Sequence, residues 1–336
     1  MNKSYNWAIL GCGRIARKFS SDLKLLPNAR LYAAAARDLN KAQEFATELG
    51  FEKAFGSYEA MLADPLVDIV YVATPHSHHY EHVMMCIDAG KAVLNEKAFT
   101  LTHPEALKMV QAARDRGIFL MEAFWTRFQP SFLKALEIVR SEELGKLKVV
   151  RSDFAFNAPK DPEKRLYNLS LGGGSLLDIG IYPVFAALSV LGIPDRIKAL
   201  ATFADTGIEE SIAMVFKYKG GELASLYSSL ATNSFVTTEY NCERGSLLLN
   251  RRWMAPTTLT VWKEGNHEET ISFETQGFGY HYEAAHVMEC LDTGKTESDM
   301  MPLDFTLQMM ETLDRIRRET GIVFPGRDTG IFGSNV

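Results

Sequence analysis

The chain has 336 residues, a net charge of −6, 46% hydrophobic and 23% charged residues, the make-up of a globular protein with material for two cores. No long basic run is present, which argues against nucleic acid as the main partner, because phosphate binding needs clustered Lys and Arg. No uninterrupted apolar span of about twenty residues stands out, so no membrane crossing is expected.

The opening MNKSYNWAILGCG lacks the apolar length of a secretory signal. Cys12, Cys86, Cys242 and Cys290 are scattered without a C-x-x-C pair. They read as reduced thiols of a cytoplasmic protein.

In chain order, residues 7–10 read as a strand and 14–26 as a helix with Ile15, Phe19 and Leu23 on one stripe. A strand at 30–36, a helix at 40–50, and a short strand and helix within 53–65 follow. Then come a buried strand at 67–75, a helix at 78–90, a strand at 92–97, a helix at 104–117 and a strand at 118–124. Strands alternating with helices of this length imply an α/β domain with a parallel, doubly wound sheet. After a helix near 130–142 and a long strand at 146–156, the pattern changes. A turn-rich loop spans 157–174, and a helix starts at Ser175. Strands are expected at 196–204, 211–218, 222–231, 235–242, 246–250, 257–263 and 268–274, with closing helices near 280–293 and 302–320. This half reads as an open, mainly antiparallel sheet. The expected division is a dinucleotide-binding domain at 1–123 and a substrate and dimerisation domain at 124–330.

AILGCGRIA places Gly11-x-Gly13-x-x-Ala16 between the first strand and the first helix. Glycines there permit a tight turn and close approach of a pyrophosphate, and the helix start, with Arg14 and Ile15, offers free amides. The second strand ends at Ala36, followed by Arg37, with Lys41 one turn on. A guanidinium suits a 2′-phosphate by bidentate pairing, which favours NADP. Asp38 leaves NAD open, since a carboxylate there could hold a ribose hydroxyl.

HSHHYEH clusters His76, His78, His79 and His82. His78 and His82 have a legitimate metal spacing, but no clear partner completes a set, and no metal is expected. In GGGSLLDIGIYPV, residues 172–184, Ser175 and Asp178 form an S-x-x-D pattern. That pattern reads either as a capping box or as an acid facing a cleft. Tyr182 lies four residues after Asp178, on the same helix face.

AILGCGRIA, YVATPHSHHYEHV, AVLNEKAFT, MEAFWTRF and GGGSLLDIGIYPV together resemble the Gfo/Idh/MocA oxidoreductases. Within them the chain looks most like the dimeric dihydrodiol dehydrogenases, which also act as NADP-linked D-xylose dehydrogenases. The resemblance implies an N-terminal Rossmann domain and a C-terminal domain whose open sheet forms a homodimer face. It maps an E-K-P motif onto Glu96-Lys97-Ala98, with the lysine near the nicotinamide. Ala98 replaces a proline that relatives hold with a cis peptide, and cis before a non-proline costs about 2.5–4 kcal/mol. The family's T-P-N-x-x-H segment, which lines the dinucleotide, matches Thr74, Pro75 and His79, with His76 replacing the Asn. Its D-x-x-x-H pair appears as Asp178 and Tyr182, a change expected for the dihydrodiol branch.

Hydride chemistry on a CH–OH carbon needs a group that takes or returns the hydroxyl proton. Tyr182 is assigned as acid/base, Lys97 as electrostatic partner and relay, and Asp178 as orienter; the roles of Lys97 and Tyr182 could be exchanged. A tyrosine titrates near 10, and a close cation brings it down toward the useful range. Trp125 and Phe154 are expected pocket walls, or core residues; Arg165 is a substrate contact, or a solvated loop residue. The expected function is NAD(P)-dependent oxidation of a sugar or trans-dihydrodiol. The alternatives are keto-sugar or inosose reduction, or a regulator that senses the dinucleotide without turnover.

Overall fold

Runs such as YNWAIL and IVYV are apolar almost throughout, as strands covered on both faces must be. The computed structural model describes residues 3–265 and 267–328. It divides into two units, Met1–Phe128 with Thr275–Leu307, and Gln129–Glu274 with Gln308–Val336.

Unit one holds β1 (Tyr5–Leu10), α1 (Arg14–Leu23), β2 (Ala29–Ala35), α2 (Leu39–Leu49), β3 (Lys53–Phe55), α3 (Tyr58–Leu62), β4 (Ile69–Val72), α4 (His79–Asp88), β5 (Ala92–Glu96), α5 (His103–Arg116) and β6 (Leu120–Ala123). The strands form one parallel sheet in the order β3-β2-β1-β4-β5-β6. The order reverses between β1 and β4, where an open α/β sheet collects its ligand. Helix α1 buries Ala16, Phe19 and Leu23. Ile15 is only partly buried, because one residue of helical rotation turns it toward the loop.

Unit two holds α6 (Pro130–Ser141), β7 (Leu147–Ala155), α7 (Ile181–Leu191), β8 (Arg196–Phe203), β9 (Glu209–Lys217), β10 (Leu223–Ser229), β11 (Thr238–Cys242), β12 (Gly245–Leu249), β13 (Leu259–Lys263) and β14 (His267–Ile271). The sheet order is β14-β13-β12-β11-β7-β10-β9-β8. Among the described residues of this sheet only β7 and β10 pair in parallel. Along β9, Ile212, Met214 and Phe216 are buried, while the residues between them face outward, Val215 among them. The buried face packs under α6 and α7, with Phe132 against Phe185 at 5.1 Å between ring centroids.

Three expectations change. Strand β11 starts at Thr238 rather than 235, because Val236 is left-handed (φ 58°) and Asp153 binds the amides of Val236 and Thr237. The stretch Leu169–Leu191 is long and apolar enough for a membrane span by composition, with mean hydropathy 1.7, yet 83% of that window is buried in the fold. Its apolarity therefore serves a core.

The division into 1–123 and 124–330 also needs correction. The segment 275–307, with α8 (His281–Asp292), belongs to unit one. Asp22 on α1 accepts the amides of Phe278 and Tyr280, and the Leu120 amide donates to the Thr296 carbonyl. The last helix, α9 (Leu303–Thr320), runs across the boundary of the units.

Candidate active site

The C-terminal ends of the unit-one strands carry most of the expected residues. Gly11 has φ +102°, and a Cβ on it would meet Thr74 Cγ2 at 2.9 Å and the Ala73 backbone at 3.2 Å. Two constraints thus demand glycine: the left-handed backbone and the close pass of the β4 exit loop. Gly13 precedes α1 without any side-chain cap, so the first amides of that helix face outward beside Arg14. Arg37 is exposed at the end of β2 and has no hydrogen bond among the described residues. Asp38 caps α2, its carboxylate accepting the Asn40 amide at 2.9 Å. These groups fit a dinucleotide: a cradle that no side chain could enter, open helix amides and an available guanidinium.

Lys97 follows β5 directly, and its turn is held from several sides. The Glu96 carboxylate accepts the Lys97 amide at 3.1 Å and the Tyr71 hydroxyl. The Asn95 side chain donates to the Phe99 carbonyl at 2.8 Å. His79 places Nδ1 2.7 Å from the Ala98 carbonyl and Nε2 2.8 Å from the Thr74 carbonyl. The Lys97–Ala98 peptide is cis.

His79 is wholly buried, and burial lowers its pKa to about 4. It and Glu96 were expected to touch the dinucleotide. Within the protein both also brace the turn that presents Lys97. His76, 4% exposed, packs edge-on against His79. Thr74 accepts or donates at 2.9 Å with His82 Nδ1, and Pro75 opens the turn into α4.

Two more buried acids flank this turn. Glu122 is in register with Asn95 and bonds the Thr306 hydroxyl at 2.9 Å. Burial pushes it up to about 8, with Lys97 and Thr306 pulling the other way. Glu283 on α8 is fully buried, and neither carboxylate oxygen has a partner among the described residues. Burial, and then Glu96, hold it well above the usual carboxylate range. Trp125, just past β6, stacks on Tyr280 at 4.4 Å.

In unit two, Asp178 and Tyr182 sit where a π-helical turn, Leu176–Gly180, runs into α7. The Asp178 carboxylate pairs with Arg165 at 2.9 Å. Phe154 lies 5.6 Å from the Tyr182 ring, and Trp253 meets it edge-on at 6.3 Å. The capping-box reading fails. Ser175 turns its hydroxyl to Ser228 at 3.2 Å, and the Leu176 amide donates to Glu209 at 2.6 Å. A carboxylate from β9 thus does the capping, which leaves Asp178 for Arg165.

The triple glycine makes that pairing possible. A Cβ on Gly173 would stand 2.6–2.8 Å from the carbonyl oxygens of Arg165, Leu166 and Asn168. One on Gly174 would collide with the Glu209 carboxylate. The amides of Gly173 and Gly174 donate to Asn168 and Leu166, so the loop bearing Arg165 folds back on the glycines.

Burial raises Glu209 from 4.5 to about 7, against the pull of the Leu176 amide and Arg317. Folded protein therefore keeps a proton between pH 4.5 and 7 that the unfolded chain has lost. Stability falls as pH rises through that window and levels off above it, by an amount on the order of 3 kcal/mol. Denaturant midpoints of wild type and Glu209→Gln across that range check this: the variant should show the flatter profile.

The structure thus gathers Gly11, Gly13, Arg14, Ile15, Arg37, Thr74, Pro75, Lys97 and Trp125 in unit one, and Phe154, Arg165, Asp178 and Tyr182 in unit two. Trp125 and Phe154, expected as walls of one pocket, belong to different units, Trp125 because it is tied to the Tyr280 segment. Trp253 and Glu209 were missed; Glu209 reaches the α7 turn from β9 and Trp253 from the loop before β13, both far off in sequence, which no local spacing signals.

Residues 5–124 match the family model described as an oxidoreductase family with an NAD-binding Rossmann fold, and residues 132–248 match the GFO/IDH/MocA C-terminal domain. The trans-1,2-dihydrobenzene-1,2-diol dehydrogenase of Mus musculus is 36% identical over 331 residues, covering 95% of this chain and 98% of that protein. The chain belongs to the Gfo/Idh/MocA oxidoreductase family. Among solved members of the fold, an aldose–aldose oxidoreductase from Caulobacter crescentus superposes with a TM-score of 0.87 at 25% identity, covering 95% of this chain and 98% of that one. A 3-ketoreductase from Actinomadura kijaniata, crystallised with NADP, matches in fold with a TM-score of 0.87 at 24% identity and the same coverage.

Proposed function

We propose that this chain is an NADP-preferring oxidoreductase that moves a hydride between the nicotinamide and a CH–OH carbon of a sugar or a trans-dihydrodiol. The observation that carries the reading is Lys97. A dinucleotide fold presents it at the end of β5, on a turn clamped by Glu96, Asn95 and His79. The 36% identity to dihydrodiol dehydrogenases supports the substrate class.

When bound, the nicotinamide accepts or returns the hydride. The protein must handle the hydroxyl proton. Tyr182 takes it in the oxidative direction and returns it in reduction. Lys97 favours the phenolate by its charge and passes the proton on. Asp178, held by Arg165, orients the hydroxyl. The aromatic rings of Phe154 and Trp253 around Tyr182 exclude water and offer an apolar face to a ring substrate.

NADP is preferred because Asp38, the residue that would hold a free ribose hydroxyl, is engaged as a helix cap, while Arg37 is available. The test is a panel of D-xylose and trans-dihydrodiols read as nicotinamide reduction with NADP and with NAD. Wild type should favour NADP in kcat/KM, and Arg37→Ala should lose about 10- to 100-fold with NADP alone, the worth of a charge-assisted contact. A wild-type preference for NAD refutes the Arg37 assignment. No turnover on any member of the panel favours the regulator.

A further inference from the structure

We propose that His78, Glu81 and His82 form a binding site for one divalent transition-metal ion, of the class of zinc or cobalt, at the start of α4. The three side chains lie on one helix face, at i, i+3 and i+4. Their ligand atoms all fall within 4.8 Å of one another. The two imidazole rings lie side by side, 5.5 Å between centroids and 27° between planes. Ligand atoms about 2.0–2.2 Å from one zinc ion need to draw only slightly closer, a matter of small side-chain rotations.

One donor is already oriented. His82 Nδ1 is engaged by the Thr74 hydroxyl at 2.9 Å, which fixes the ring and leaves Nε2 as the ligand atom. Such an outer contact is what orients a metal-binding histidine. Among the described residues the side chains of His78 and Glu81 have no hydrogen bond, and Glu81 is exposed, so the ion has a solvent approach.

The charges facing His82 from neighbouring elements are Arg37 at the end of β2 and Glu59 on α3. They oppose each other, so the site's own carboxylate sets its charge. Two imidazoles and one carboxylate favour zinc, cobalt or nickel over magnesium or calcium.

A second cluster, His286, Cys290 and Asp299, also brings its ligand atoms within 4.8 Å. It is the weaker candidate. His286 Nε2 already meets Ser298 Oγ at 2.8 Å, and burial pushes the Cys290 thiol up to about 11. An ion there would have to displace a hydrogen bond and a proton.

Calorimetric titration of the chelator-treated full chain with zinc chloride tests the assignment, with cobalt absorption as the spectroscopic check. One zinc ion per chain should bind. His78→Asn and Glu81→Gln should each weaken binding at least about tenfold, and Cys290→Ser should leave it unchanged. Wild-type affinity in His78→Asn, loss of binding in Cys290→Ser, or no saturable binding at all would overturn the proposal. The site lies outside the groups assigned to hydride chemistry, so the result does not depend on the substrate reading.

Discussion

Lys97→Met is expected to lower kcat/KM by about 10³-fold and Tyr182→Phe by about 10²- to 10³-fold, within the range of acid/base catalysis. Met keeps the length and apolar stem of the lysine and removes only its charge and proton. The clamp on the turn should survive, because Glu96, Asn95 and His79 hold it by backbone atoms of residues 97, 99 and 98. The Kd for NADP, read by quenching of protein fluorescence, should therefore change little. A large rise in that Kd at unchanged kcat would make Lys97 a binding residue alone. For Tyr182→Phe the aromatic contacts with Phe154 and Trp253 remain, so a fall in kcat reports the hydroxyl. Near wild-type kcat in that variant removes Tyr182 from the chemistry.

Gly173→Ala should cost about 10²-fold in kcat/KM together with roughly 1–3 kcal/mol of stability. The added methyl would stand 2.6–2.8 Å from three carbonyl oxygens of the 165–168 segment. Backbone must move, and overpacking of this kind costs in that range. The displaced segment carries Arg165, whose ion pair with Asp178 is 2.9 Å long. Misplacement of an orienting group by about 1 Å is enough for such a loss in rate. Gly50→Ala is the control. A Cβ there meets nothing within 4 Å, and its φ of +80° taxes stability alone, so activity per folded molecule should hold. Full activity in Gly173→Ala, with a normal denaturant midpoint, would break the link between the triple glycine and Asp178.

The fold was legible wherever local pattern decides it. Alternating apolar runs and helical stripes located the six strands of unit one, and the glycine loop marked its ligand edge. What escaped was settled by partners distant in sequence. The return of 275–307 to unit one rests on Asp22 binding the amides of Phe278 and Tyr280, some 256 and 258 residues away. The cap on the Asp178 turn comes from Glu209, 33 residues on, so an S-x-x-D pattern misled. His79 and Glu96 hold the turn of Lys97 through buried hydrogen bonds, which no motif spacing announces. Lys97, Asp178 and Tyr182 were named by the family resemblance; the pairing of Asp178 with Arg165 is a tertiary fact.

The sharpest measurement is a double-mutant cycle on the hydride-transfer rate in single turnovers, using Lys97→Met, Tyr182→Phe and the pair. If both groups handle one proton, the double variant should be scarcely slower than the slower single variant, since groups that act as a unit do not add. Losses that simply multiply would mean that the lysine and the tyrosine act independently, and the proposed mechanism would be wrong.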